Sequence, residues 1–381
     1  MEISPSTIRH QDLLPRKCIV VLGMHRSGTS ALTRTLNLMG AALPQNLLEG
    51  PKEFNEKGYF ESRTLSPLND IILAEFGSSW FDAGRIDLTS LDAANRANLR
   101  MRISNAVAAE YRGAALFVLK DPRICRLVSL WRDALDSMAI ETSFALPVRH
   151  PVEVARSLQK RDGFPLVVGC LLWLRHVLEA EFETRSMPRA FVHYHDLLAA
   201  PAATASHVGS VLKEQRLISD VQAEQAIGSF IDPALRHYTA KSAELESNEF
   251  PYPWLRQTYE AHARLVSDPG DQAVQLQLDG VREQFDNVAA AFPRIIAPDK
   301  ALEATIAALR EQVAVLDQRL SVNIQDLSLA RKVADARGAL LIHRESQIAQ
   351  LDADIRELRA STSWRLTAPL RALKQMTSKP D

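Results

Sequence analysis

A run of β-branched and apolar residues, Cys18-Ile19-Val20-Val21-Leu22, ends on Gly23, and from Gly28 the pattern turns helical, with Leu32, Leu36 and Met39 spaced for one face. Consecutive apolar residues stopped by glycine read as a strand buried on both faces. The link between strand and helix, Gly23-Met24-His25-Arg26-Ser27-Gly28-Thr29-Ser30, is G-x-x-x-x-G followed by two hydroxyl residues. A turn of this kind points successive backbone N–H groups at one spot, and the helix N-terminus adds partial positive charge, so the segment reads as a phosphate cradle. A loop built for ATP and magnesium would carry Lys where Thr29 stands. Here the cation is Arg26, inside the loop.

The same strand-then-polar-cluster pattern recurs. Residues 115–119 form a second apolar run that leads into Lys120-Asp121-Pro122-Arg123, and residues 142–148 a third that leads into Arg149-His150-Pro151. A fourth strand is expected over 190–194, with helices over 65–76, 92–111, 151–160 and 165–186, another running to Met138, and Gly40 as the stop of the first. Strands separated by helices predict right-handed βαβ units, hence an α/β fold of P-loop type with a parallel sheet flanked by helices. Ligands of such sheets sit at the C-terminal strand ends, where these polar clusters can converge. Asp121 followed by Pro122 reads as a helix N-cap with proline at the first helical position.

The 381 residues can hold one large domain with an extension, and a hydrophobic content of 46% is enough for a full core. A formal net charge of −1 gives no overall pull toward nucleic acid or anionic lipid, so basic residues must act locally. Cys18, Cys125 and Cys170 match no zinc or redox spacing and are expected as reduced, partly buried thiols. No basic-then-apolar signal peptide opens the chain and no apolar run is long enough to span a bilayer, which predicts a cytoplasmic protein whose tail can still touch a membrane.

The loop from Gly23 to Ser30 resembles the 5′-phosphosulfate loop of sulfotransferases, whose usual form is a basic residue followed by Ser-Gly-Thr-Thr or a close variant. Arg149 at a strand end with Ser157 eight residues on, in the next helix, is similar to the family's 3′-phosphate pair. Lys120-Asp121-Pro122 resembles a segment of the carbohydrate and tyrosylprotein sulfotransferases. Tyr194-His195-Asp196-Leu197 resembles their later Tyr-Glu-Asp-Leu segment, with His195 replacing the usual Glu. The resemblance covers about residues 17–295 and implies the sulfotransferase fold, with 3′-phosphoadenosine 5′-phosphosulfate (PAPS) as co-substrate and no metal. It assigns Gly23, Arg26, Ser27, Gly28, Thr29 and Ser30 to the phosphosulfate and Arg149 and Ser157 to the 3′-phosphate. A guanidinium suits a phosphate through paired hydrogen bonds.

Sulfuryl transfer needs cations for the charge on the leaving phosphate and a base for the acceptor's proton. Arg26 and Lys120 are the expected cations. Glu61, after the aromatic pair Tyr59-Phe60, is the expected base, with Glu53, Glu56 and His25 as rivals. Its plain alternative is an acid favouring a helix N-terminus. His193 and His195 form a His-x-His pair with no third ligand at diagnostic spacing, so no metal is expected. Trp80, Trp173 and Trp254 can stack on a base or a sugar, against a default of core packing.

Beyond Pro298, alternate steps of four and three from Leu302 reach Ile306, Leu309, Val313, Leu316 and Leu320, and continue to Ile348, Leu351, Ile355 and Leu358. Asn323, Arg337 and Arg344 are polar positions of this seam. The pattern predicts a coiled coil over 298–360, hence self-association, most simply as a parallel dimer. A basic and aromatic tail follows at 361–381. With a loose leader at 1–16, the remaining span 17–297 is the expected catalytic domain. Ser363-Trp364-Arg365-Leu366 and the residues to Arg371 are similar to a short segment of bacterial surface-polysaccharide glycosyltransferases. Together with the family resemblance this implies a carbohydrate or glycolipid acceptor and surface-polysaccharide assembly proteins as partners. Two other functions fit parts of the pattern: a P-loop kinase or nucleotide hydrolase, and a non-catalytic coiled-coil scaffold that binds a nucleotide.

Overall fold

The computed structural model describes residues 15–48, 58–217, 220–231, 240, 242–247, 249, 251–291 and 300–371. Four strands form one parallel sheet: β1 (Lys17–Val21), β2 (Leu116–Lys120), β3 (Glu141–Val148) and β4 (Arg189–His193), in the order β2-β1-β3-β4. Helices cover both faces, so the α/β class read from the sequence holds. Each strand's alternation splits its side chains between two layers. Cys18, Val20, Phe117, Leu119, Phe144 and Phe191 enter the larger core. Ile19, Val21, Leu116, Val118, Ala145 and Val192 enter a smaller one on the other face. That two-sided burial is why the strands read as unbroken apolar runs.

Helix α1 (Thr29–Leu38) packs Leu32 and Leu36 on the smaller face. Helices α2 (Leu65–Glu75), α3 (Ala93–Glu110) and α4 (Val128–Ser137) follow in the chain, with a 3₁₀ turn at Pro122–Arg126 between β2 and α4. Helices α5 (Pro151–Asp162) and α6 (Leu166–Glu183) connect β3 to β4 and meet closely: a Cβ on Gly169 would lie 2.9 Å from Ala155 Cα. Beyond β4 come α7 (Tyr194–Ala199), α8 (Pro201–Val211), α9 (Val221–Phe230), α10 (Tyr252–Leu265) and α11 (Gln272–Ala291). The three cysteines are buried free thiols.

From β1 the chain runs outward to β2, then crosses back over β1 to β3, so the strand order reverses beside β1. In open α/β sheets ligands sit at such a reversal, outside the C-terminal strand ends. Register fixes what faces it: Val21 pairs with Lys120 on one side and Ala145 on the other, and Val148 pairs with His193. The segments following β1, β2, β3 and β4 therefore begin at one edge of the sheet.

The first strand runs Lys17–Val21, one residue earlier than the apolar run predicts, because the Lys17 N–H already donates to the Ala115 carbonyl at 2.9 Å. The Lys17 Nζ donates to the Leu212 carbonyl at 3.1 Å and lies 3.4 Å from Glu214. The helix expected to end at about Met138 is α4, preceded by the 3₁₀ turn, with Asp121 accepting from Arg123 N at 3.0 Å as the N-cap of the turn.

The chain divides into two compact units, residues 1–298 and 299–381. The second contains one 61-residue helix, α12 (Lys300–Ala360), and a short helix α13 (Thr362–Leu366) that Ser361 caps through Trp364 N. Arg371 lies over the Trp364 ring at 3.7 Å. Among the described residues no single helix is long and apolar enough to cross a membrane.

Candidate active site

The loop between β1 and α1 is held by backbone conformation and by a distant motif. Gly28 has φ +93° and Arg26 φ +70°. A left-handed arginine costs about 1–2 kcal/mol and persists only where its surroundings hold it. Here Arg149 does so: its Nη1 donates to the Arg26 carbonyl at 2.7 Å, while the Arg26 Nε donates to Ser157 Oγ at 2.8 Å. The loop motif and the Arg149–Ser157 motif, more than a hundred residues apart, thus meet directly.

Arg149 leaves the end of β3 and its Nε pairs with Glu153 one turn into α5 at 3.0 Å. Its guanidinium lies over the Tyr194 ring at 4.3 Å from the centroid. The same ring closes on Gly28, where a Cβ would come within 2.3 Å of Tyr194 Cδ2. Glycine is required there twice, by its φ and by this contact. Gly23 is tight as well: a Cβ would meet Thr29 Cγ2 at 3.2 Å and Pro147 at 3.4 Å.

Ahead of α1 the loop offers donors. Gly28 caps the helix without a side chain, so the first-turn N–H groups lack an internal cap. Ser27 is buried and its Oγ has no hydrogen-bond partner among the described residues. Burial first, then Arg161 and Arg149, hold the Arg26 pKa below its usual value. An incoming anion would relieve that mutual repulsion, and the unsatisfied Ser27 hydroxyl would gain a partner. These residues fit the phosphate end of a nucleotide.

Lys120, at the end of β2, reaches the same loop. Its Nζ lies 3.4 Å from Ser30 Oγ, donates to the Tyr59 carbonyl at 3.2 Å, and pairs with Glu61. Lys120 and Glu61 are each only 4% exposed. Glu61 also accepts from Ser66 Oγ at 3.4 Å and lies 3.8 Å from Arg123. The structure therefore brings Lys120 and the expected base together as an ion pair. Asp121 is structural: it accepts from Arg123 Nη1 at 3.1 Å and from Asn69 Nδ2 at 3.1 Å, and Asn69 in turn accepts from Trp131 Nε1 at 2.9 Å.

His25 lies edge-on to Trp80, ring centroids 4.6 Å apart, and its Nε2 is buried with no hydrogen-bond partner among the described residues. Burial first, then Arg161, Arg123, Lys120 and His176, push its pKa well below the usual histidine value, so the ring is neutral. Glu53 and Glu56 lie outside the described residues. The rings of His193 and His195 are 5.0 Å apart, and no group of three His, Cys, Asp or Glu able to hold a metal occurs among the described residues. Trp173 is a core residue, whereas the Trp254 Nε1 donates to Gln284 at 2.9 Å.

Glu153, the counterion of Arg149, belongs to none of the sequence motifs, although its i,i+4 spacing is a usable signal. The sequence also does not set Tyr194 against Gly28. The loop carrying Trp80 is clasped across the fold: Arg126 Nη1 donates to the Asp82 carbonyl at 2.5 Å and Arg175 Nε to the Ala83 carbonyl at 2.7 Å. No sequence signal marks that contact.

No protein-family profile matches the chain, and no curated protein matches it. Solved structures do. The sulfotransferase domain from the curacin biosynthetic pathway is 20% identical, with a TM-score of 0.33 over 67% of this chain and 98% of that one. The sulfotransferase domain of the Synechococcus PCC 7002 olefin synthase is 17% identical, with a TM-score of 0.35 over 71% of this chain and 95% of that one. A sulfotransferase from Mycobacterium tuberculosis is 16% identical, with a TM-score of 0.32 over 65% and 77%.

Proposed function

We propose that this chain is a sulfotransferase that moves a sulfuryl group from PAPS to a hydroxyl of a carbohydrate or glycolipid. The observation that carries the reading is the 2.8 Å bond from Arg26 to Ser157, reinforced by Arg149 on the Arg26 carbonyl. It joins a phosphate loop to a second phosphate-type site at one sheet edge, as a nucleotide with phosphates at both its 5′ and 3′ positions requires. Thr29, a residue with no positive charge, stands where an ATP-binding loop needs its lysine, which weighs against the kinase or hydrolase reading.

In this reading Gly23, Ser27, Gly28, Thr29 and Ser30 hold the 5′-phosphosulfate through backbone N–H groups and hydroxyls at the start of α1. Arg149 and Ser157 hold the 3′-phosphate. PAPS supplies the sulfuryl group; the chain supplies position and charge. Arg26 and Lys120 offset negative charge that builds on the leaving phosphate. Glu61 takes the acceptor's proton once Lys120 turns from it toward the anion, because a carboxylate paired with an ammonium is a poor base. No metal is needed. The tail with Trp364, Arg365 and Arg371 fits a peripheral role beside surface-polysaccharide assembly proteins in the cytoplasm.

Transfer of labelled sulfate from PAPS to a panel of glycans and glycolipids tests the reading. The expected result is label on at least one hydroxyl acceptor, lost in Arg26→Ala and Lys120→Ala. Equal labelling by the wild type and both variants would overturn it.

A further inference from the structure

Helix α12 presents an apolar seam to solvent. On the heptad that the sequence sets, Leu320, Leu327, Leu341, Ile348 and Ile355 occupy a positions, and Leu316, Leu351 and Leu358 occupy d positions. Leu327 is 70% exposed and Ile348, Leu351 and Leu358 are each 60% exposed within the single chain. From Ile348 to Leu358 every a and d position carries a large aliphatic side chain, and side chains so exposed at that period require a partner helix. Upstream the seam passes through Asn323, Ala330 and Ala334, and Leu329 and Ile342 are equally exposed off it.

We infer that the partner is the same helix of a second copy, parallel and in register. Two observations fix this. In the last two heptads isoleucine stands at both a positions and leucine at both d positions, the combination that favours two parallel strands. The flanking charges agree. A parallel pair sets each g residue against the e residue five positions later on the other chain. From Arg319 to Arg359 two such pairs are fully charged, Asp326 with Arg331 and Asp354 with Arg359, and both are opposite in sign. No like-charged pair occurs in that span. An antiparallel arrangement would set e against e and g against g, losing both matches.

Arg337 and Arg344 at d positions weaken the middle of the seam, and Glu345 at the following e position comes beside Arg344 of the other copy only in the parallel arrangement. The strongest pairing is therefore the C-terminal segment from Ile348 to Arg359.

Sedimentation of the full chain is expected to give twice the 42.4 kDa chain mass. Leu351→Cys should form an interchain disulfide on mild oxidation, since a d residue faces its own copy in a parallel pair, while the three native cysteines are buried. Asp354→Arg or Arg359→Asp alone should raise the dimer dissociation constant about 5-fold, and the double reversal should restore it. These positions are exposed in the single chain, so circular dichroism should show the fold retained. A monomeric or trimeric mass, no disulfide-linked species, or a double reversal as weak as the single changes would overturn the inference.

Discussion

Arg26 donates from Nε to Ser157 Oγ at 2.8 Å, so the guanidinium of the phosphate loop is tethered to α5. The tether fixes the guanidinium, while Arg149 on the Arg26 carbonyl holds the left-handed backbone. Ser157→Ala removes one hydrogen bond to a cation and should weaken phosphoadenosine phosphate about 10-fold by calorimetry. Arg26→Ala should act mainly on turnover, lowering kcat by about 10²–10³. If both variants changed only nucleotide affinity, Arg26 would be a binding residue and not a catalytic one.

Gly28 and Gly113 separate two costs of a side chain. Both have positive φ, but a Cβ at Gly28 meets Tyr194 at 2.3 Å whereas one at Gly113 meets nothing within 4 Å. Gly113→Ala should cost about 1 kcal/mol in urea unfolding, the backbone penalty alone. Gly28→Ala should cost at least ~2 kcal/mol, since Tyr194 or the loop must also move. It should also lose nucleotide binding. Equal losses for the two variants would show that the Tyr194 contact is easily relieved.

Lys120 and Glu61 form a buried pair. Lys120→Ala leaves the carboxylate without its main counterion and should destabilise the chain by about 3–5 kcal/mol. Lys120→Met with Glu61→Leu should cost less than Lys120→Ala alone, because neither charge is stranded. Glu61→Gln gives the mechanistic readout: kcat should fall while the dissociation constant for phosphoadenosine phosphate stays within about 2-fold. Unchanged kcat would remove Glu61 as the base.

How much of this was legible in the sequence depended on distance along the chain. The strands showed as apolar runs because both sheet faces are covered, and the loop showed because a strand, two glycines and a helix leave few alternatives. Arg149 and Ser157 showed only through the resemblance of a strand-end arginine and a serine eight residues on to a known family's phosphate pair. Contacts across the fold did not show. Nothing local tells that Glu61 meets Lys120, that Trp80 rests on His25, or that Arg126 and Arg175 clasp the loop between Ser79 and Gly84. The ammonium of Lys17 likewise has its partners far along the chain, at Leu212 and Glu214.

His176 predicts a pH dependence of stability. It is wholly buried, with Nδ1 bonded to the Leu172 carbonyl at 2.8 Å. Burial first, then Arg126, lowers its pKa from 6.5 to about 3. The unfolded ring takes up a proton near 6.5 and the folded ring only near 3, so between these values the unfolded chain binds more protons. Stability is full above 6.5 and falls as pH drops, by about 1.4 kcal/mol per unit from this group. His176→Gln should lose that much less per unit in urea unfolding between pH 6 and about 4.5. Parallel slopes for the two proteins would contradict the assignment.

In the proposed function the loop after β1 and the Arg149–Ser157 pair form one site for a nucleotide carrying both 5′ and 3′ phosphates. Calorimetry with 3′-phosphoadenosine 5′-phosphate, set against ATP with magnesium, tests it most directly. Tight binding of the former without metal is expected, weakened about 10-fold by Ser157→Ala, with little or no heat from ATP with magnesium. Tight binding of ATP with magnesium and none of the bisphosphate would contradict it.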